Sequence, residues 1–414
     1  MIAVQPIERI AAQPWMSEKP TSTVLAALGA EGATVRFVGG CVRDALLERP
    51  IGDIDIATPD RPETVLRLLA AAKIKSVPTG IDHGTVTAIV KPRHFEITTL
   101  RRDVETFGRH ARIAFTDDWA EDAARRDFTM NALFLDAEGW IFDPVAGLAD
   151  LRAGHVCFVG EAEARIREDV LRLLRFYRFY AHYGRGRADG VAREACRKLA
   201  HLLPSLSGER VAAELLKLLG APDPLPTIDL MVEDGVLAML LPEALRRDRL
   251  AGLLPLEPEA DRMRRLSALL VSERGPVEAV AARLRLPNAA RDRLALLAAP
   301  PWPLELAGDE HAQRRALRHL GLDAYRDLVL LRAAESGGAD TARALLATAP
   351  GRVPPRFPLR GADVTRLGVP PGPAVGRLLA AVEDWWGAGD FRADRKACLA
   401  RLGEILRTQG AQPP

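Results

Sequence analysis

The 414-residue chain has little cysteine, little lysine and few aromatic residues. Its four cysteines, Cys41, Cys157, Cys196 and Cys398, are scattered with no C-x-x-C spacing. That argues against a zinc site and against a disulfide framework, and no zinc is expected. It fits a reducing cytoplasm. Arginine supplies almost all of the positive charge, the mark of a biased base composition. Net charge is only +2, so there is no global basic field. Any nucleic-acid partner must be met by local basic patches. The eight histidines also lack metal-ligand spacing. No apolar run reaches membrane-spanning length. The opening "MIAVQPIERIAAQPWMSEKP" has neither the apolar core nor the cleavage pattern of a signal peptide. The expectation is a cytoplasmic protein without a membrane partner.

What is present is the composition of an ordinary globular protein, 48% hydrophobic and 27% charged, so the length corresponds to two to four domains. Up to about residue 150 the pattern is mixed. "VRFVGG" reads as a short strand ending in a glycine turn, "CVRDALLE" as a helix start, and "DIDIAT" as a strand with period two. "RPETVLRLLAAA" is a helix with Pro62 and Glu63 as start signals. "GTVTAIV" and "HFEITTL", separated by "KPR", suggest a hairpin, as do "ALFLD" and "WIFDP" joined by "AEG". This is α+β with one modest mixed sheet; the βαβαβ alternation of a doubly wound sheet is missing. After residue 160 strand signals nearly vanish. "EARIREDVLRLLRFYRFYAHYG" reads as one strong helix, and further helical segments follow to the end, with Pro/Gly breaks near residues 222, 302 and 352.

The stretch "RFVGGCVRDALLERPIGDIDIAT" concentrates the chemistry. Asp53 and Asp55 lie two apart on a strand and so face the same side. A lone D-x-D of this kind is often just a solvated strand end. Here Gly39 and Gly40 lead directly into a helix, which makes an anion site of backbone N–H groups, and Arg43 falls in that helix's first turn. A phosphate turn and a two-carboxylate metal site would then lie side by side. Mg²⁺ binds through one or two carboxylates plus substrate phosphates, and a pair of such ions can clamp an in-line phosphoryl displacement. Glu96, on a later strand, is the candidate third carboxylate; the alternative is a plain surface residue.

"GGCVRDALLERPIGDIDIAT" resembles the signature of the class II tRNA nucleotidyltransferases (CCA-adding enzymes) and their bacterial poly(A) polymerase relatives. "TGIDHGTVTAIV", "FEITTLRRD", "EDAARRDFTMNALFLD", "IFDPVAGLADLRAG" and "REDVLRLLRFYRF" follow in the family's order, over about residues 35–180. The resemblance implies a nucleotidyltransferase head (1–150, catalytic) with a small mixed sheet. It is followed by an all-α neck (151–222, nucleobase recognition), body (223–350) and tail (351–414, tRNA binding). Arg126 matches a position that contacts the nucleotide triphosphate, and Arg175 and Arg178 match positions counted as nucleotide-binding. The bland reading of Arg126 is an ion pair with Glu121 or Asp122. Gly40 and Arg43 belong to the phosphate turn. The charged segment "RRDVETFGRHARIAFTDD" suits a mobile loop, which in the family is associated with the change from C to A addition; Phe107 stands where the family usually has Asp.

Asp169 and Arg172 lie three residues apart, as neighbours on a helix. That spacing also fits a solvated charged stripe. Cytosine and adenine each present an amine donor beside a ring-nitrogen acceptor. A carboxylate accepts from the first and a guanidinium donates to the second. Uracil and guanine reverse both contacts, at roughly 1–3 kcal/mol for each unpaired group. The resemblance gives Asp169 and Arg172 this base-reading role. It implies a Mg²⁺-dependent enzyme that adds C, C and A from CTP and ATP to the tRNA 3′ end, releasing pyrophosphate, without a nucleic-acid template. Monomer and homodimer both fit. The alternatives are a poly(A) polymerase, a partial enzyme adding only CC or only A, and a catalytically silent RNA-binding protein. The last should have lost a catalytic carboxylate, and this chain keeps both.

Overall fold

The computed structural model describes residues 4–107, 110–354 and 356–410. The chain divides into two compact units, Met1–Pro242 and Glu243–Pro414. The finer division at residues 150, 222 and 350 stays a proposal.

The first unit is built on ten strands. These are β1 (Pro6–Arg9), β2 (Arg36–Val38), β3 (Ile54–Thr58), β4 (Lys75–Gly80), β5 (Thr85–Val90), β6 (Arg93–Thr99), β7 (Arg101–Phe107), β8 (His110–Phe115), β9 (Phe134–Leu135) and β10 (Trp140–Phe142). Eight form one mixed sheet in the order β1-β10-β9-β2-β3-β6-β5-β4. Among the described residues only β3 and β6 pair in parallel, and Asp55 stands opposite Glu96 in that register. Both expected hairpins form, β5 with β6 and β9 with β10.

The sheet is larger than its sequence suggests, because both edge strands escape the pattern. β1 and β4 each contain a proline and are largely exposed. Proline costs a ladder hydrogen bond, so it is tolerated at an edge, and an edge strand needs no apolar alternation. The central strands do alternate: Phe37, Ile54, Ile56, Phe95 and Ile97 are at most 1% exposed. The helix Pro62–Ala71 starts where Pro62 and Glu63 indicate and packs on β4, β5 and β6.

Two expectations need correction. The charged segment read as a mobile loop is a β-hairpin, β7 pairing antiparallel with β8 as a separate two-stranded sheet. Arg102, Glu105 and Arg112 take ladder positions there, because backbone pairing does not require an apolar period in the sequence. Gly108 and Arg109 lie outside the described residues. The single strong helix expected from Glu161 onward is two helices, Ala162–Glu168 and Leu171–Tyr183. Asp169 interrupts them with extended backbone, φ −148° and ψ 107°, and its Oδ1 accepts from the N–H of Leu171 at 3.2 Å. Aspartate readily trades helical bonding for such a local cap.

The second unit is all helical among its described residues, as expected. Arg264 and Arg265 are buried and share Glu257, each Nε at 2.7 Å from a carboxylate oxygen. A C-terminal core of Leu359, Val364, Leu378, Val382, Trp386, Phe391, Cys398 and Leu402 takes Trp386 inside with Trp385 packed against it, so both tryptophans serve packing.

Candidate active site

The site starts from a sharp turn. Gly39, at φ 74°, ends β2 in the left-handed region and delivers the chain into the helix Gly40–Leu46. A Cβ there would sit 3.6 Å from Asp55 Oδ2 and 3.8 Å from an Arg126 guanidinium nitrogen. The turn, the strand carboxylate and the arginine therefore meet at one point. Asp53 is exposed and lies one residue before β3, while Asp55 is within it and half-buried. Glu96 is exposed on β6 directly across from Asp55, about 4.8 Å away at strand spacing. Burial pushes the Asp55 carboxyl up to about 6; the charges of Glu96 and Asp53 add to this, and Arg126 and Arg43 oppose it. Three hard oxygen donors that repel one another are the donor set a divalent cation would relieve.

Beside this corner opens a cleft of about 520 Å³. It is lined by Gly39, Gly40, Arg43, Asp55, Arg125, Arg126, Asp127, Asn131, Asp169, Leu171, Arg172, Arg175, Phe179 and Arg210. Six arginines against three carboxylates make it an anion receptor. Of the sequence-predicted residues, Gly40, Arg43, Asp55, Arg126, Asp169, Arg172 and Arg175 line the cleft; Asp53, Glu96 and Arg178 do not.

Each arginine is braced. The Arg43 guanidinium grips Asp44 at 2.9 and 3.0 Å, donates to Asn131 Oδ1 at 2.8 Å and lies over Tyr183 at 4.2 Å. Arg126 does form the ion pair with Asp122, at 2.7 Å, and Arg125 shares that carboxylate, also at 2.7 Å. The pairing fixes one edge of Arg126 while its other nitrogen faces Gly39. Burial works against the Asp122 charge, but Arg126 and Arg125 hold its carboxyl below the usual range. Asp127 accepts from Arg175 Nε at 2.6 Å, from Asn131 at 3.0 Å and from the Phe128 N–H at 2.9 Å. Against burial, these keep it below the usual range too. Arg43, Asn131, Asp127 and Arg175 thus form one continuous wall. Arg178 stands behind it, paired with Glu214 and stacked on Phe179 at 4.2 Å, so it supports an aromatic face of the cleft.

Asp169 and Arg172 both reach the cleft but do not pair with each other. Asp169 Oδ2 binds Arg210 at 2.7 Å, and Arg172 pairs with Glu168 and donates to the Arg125 carbonyl at 3.2 Å. The break at Asp169 turns its carboxylate off the helix face that the three-residue spacing assumed. Asp127 and Asn131 sat inside a quoted motif, four residues apart just after Arg126, so their proximity was available from sequence. Arg210 was not: it comes from a helix 41 residues further on.

A D-x-D strand beside a glycine turn, facing an arginine-lined cleft on a mixed sheet, defines a nucleotidyltransferase. Residues 35–157 match the poly A polymerase head domain, and residues 189–246 match the probable RNA and SrmB- binding site of polymerase A. The CCA-adding enzyme of Geobacillus stearothermophilus is 34% identical over 93% of this chain and 96% of its own. The mitochondrial CCA tRNA nucleotidyltransferase 1 of Danio rerio is 30% identical, over 89% of this chain and 87% of its own. A crystal structure of the Bacillus stearothermophilus CCA-adding enzyme in complex with CTP superposes with a TM-score of 0.77, at 31% identity, covering 95% of this chain and 99% of that one. The chain belongs to the class II CCA-adding enzyme and poly(A) polymerase family.

Proposed function

We propose that the protein adds C, C and A to the 3′ end of tRNA from CTP and ATP. The observation that carries this reading is one cleft lined both by Asp55 and by Asp169 and Arg172. A single nucleotide can then meet the reacting corner and the base-reading corner together.

In this reading the 3′-hydroxyl oxygen bonds to the α-phosphorus, the bond to the β-phosphate bridge breaks, and pyrophosphate leaves with the hydroxyl proton passing to solvent. Gly39, Gly40, Arg43 and Arg126 hold the triphosphate, and Arg175 supports them. Asp53 and Asp55 would hold Mg²⁺, with Glu96 positioning the attacking hydroxyl. The bound ions would lower the charge on the phosphates and sharpen the hydroxyl as a nucleophile. Asp169 accepts from the exocyclic amine of cytosine or adenine, and Arg172 donates to the neighbouring ring nitrogen. Phe179 offers an apolar face to the base or ribose. The four free cysteines suit action in the reducing cytoplasm.

The test is a set of tRNA transcripts lacking the last three, two or one nucleotides, each given one nucleoside triphosphate at a time. Two additions from CTP, then one from ATP, then no more is the expected pattern. Unlimited ATP addition to an unrelated RNA would instead identify a poly(A) polymerase, and CTP use alone a partial enzyme.

A further inference from the structure

Outside the cleft, three different ligand types converge where no sequence spacing announces them. The helix Gly147–Ala153 carries Asp150, and the irregular stretch after it carries His155 and Cys157. Asp150 Oδ1 lies 3.1 Å from His155 Nδ1, and Asp150 Oδ2 lies 3.1 Å from the Cys157 sulfur. The carboxylate oxygen, imidazole nitrogen and sulfur all fall within 4.8 Å of one another. A second observation is independent of that cluster. The far ring nitrogen of His155, Nε2, lies 3.1 Å from Asp189, which caps the helix Gly190–Leu199 through the Ala192 N–H. A metal-bound histidine characteristically donates its other ring N–H to a carboxylate, which fixes its tautomer and raises its basicity. Asp150 has an outer partner as well, the Thr129 hydroxyl at 2.8 Å.

We propose that Asp150, His155 and Cys157 form a binding site for a thiophilic divalent transition metal, zinc by ligand chemistry. A thiolate and an imidazole exclude Mg²⁺ and select zinc-like ions. The site is distinct from the Asp53–Asp55 corner, whose donors are all oxygens. Binding breaks the Cys157 S–H bond and frees His155 Nδ1, and the ion gains one bond each from sulfur, nitrogen and the Asp150 oxygen. The released protons pass to water. His155 is 40% exposed, so the ion has a path in and water can complete the tetrahedron. The backbone cradle is tight: a Cβ on Gly147 would meet the Thr129 carbonyl oxygen at 2.1 Å, which holds Asp150 over Thr129. The occupied site would stiffen the segment that leads to Asn131 in the cleft wall.

The full-length protein, kept in excess Mg²⁺, is titrated with Co²⁺ and read by absorption. The expected result is a sulfur-to-cobalt charge-transfer band that appears with the first equivalent, is lost in Cys157→Ser and His155→Ala, and survives in Cys41→Ser. Oxygen ligands give no such band, so the catalytic corner stays silent. In the unmutated protein, zinc at ten times its dissociation constant should slow alkylation of Cys157 about tenfold, as mass action requires. No band, a band that persists in Cys157→Ser, or unchanged alkylation overturns the site.

Discussion

At the scale of single residues, the site works by division of labour among carboxylates. Asp55 is half-buried beside Glu96 and Asp53, and its carboxyl is pushed up to about 6. Asp122 and Asp127 are buried and held low by arginines. The first set is left short of positive charge and the second is saturated with it. Asp55→Asn should therefore cut nucleotide incorporation on the order of 10³-fold, several kcal/mol of transition-state stabilisation, with an unchanged circular dichroism spectrum. Asp169→Ala should lose a few kcal/mol of discrimination, seen as roughly 10- to 100-fold more UTP incorporation relative to CTP in single-turnover assays. Its ion pair with Arg210 gives a second handle on the same readout. The meeting of Asp55 and Arg126 at the glycine turn was legible because each sits in a contiguous motif with a chemical reason for its neighbours. Arg210 was not legible, since a side chain arriving from a distant helix leaves no local spacing to read.

At the scale of elements, the cleft wall is a chain of side chains from three segments. Arg43 comes from the helix Gly40–Leu46, Asn131 and Asp127 from the turn before β9, and Arg175 from the helix Leu171–Tyr183. Because the folded Asp127 carboxyl is held below its ordinary value of 3.8, the stability it lends is fully present above that value. It is lost as pH falls through the lower folded value. Asp127→Asn should destabilise the protein at neutral pH by about 3–5 kcal/mol, by stranding Arg175, in urea unfolding followed by fluorescence. Its stability should then fall less steeply than that of the unmutated protein below about pH 4. Element type was readable wherever an apolar period existed, as in β3, β5, β6 and the helix Pro62–Ala71. The edge strands β1 and β4 and the β7–β8 ribbon carry no such period. Their pairing comes from backbone hydrogen bonds that need no apolar period.

At the scale of the whole molecule, all of the cleft-lining residues fall between Gly39 and Arg210, inside the first compact unit. A fragment of residues 1–242 should therefore bind CTP within about threefold of the full chain, checked by calorimetry. We propose that the helical second unit helps to hold tRNA, in which case the fragment's KM for tRNA should rise more than about tenfold. Among the described residues no helix is long and apolar enough to cross a membrane. The α+β class and the all-helical remainder were visible from the loss of strand signals after residue 160. The cut between Pro242 and Glu243 was not, because the composition does not change there.

The lone parallel pairing of β3 with β6 sets a timetable for the emerging chain. Two antiparallel neighbours can zip together as soon as a short turn has formed, but parallel partners must wait for everything between them. Here that interval runs from Thr58 to Arg93 and includes a helix and two further strands. Asp55 therefore leaves the ribosome well before it gains Glu96 at its side. The cleft lining begins earlier, with Gly39 and Arg43, and ends only with Arg210. A growing polypeptide thus displays its glycine turn and Arg43 first and its acidic pair next, and the cleft is complete only when Arg210 has been synthesised.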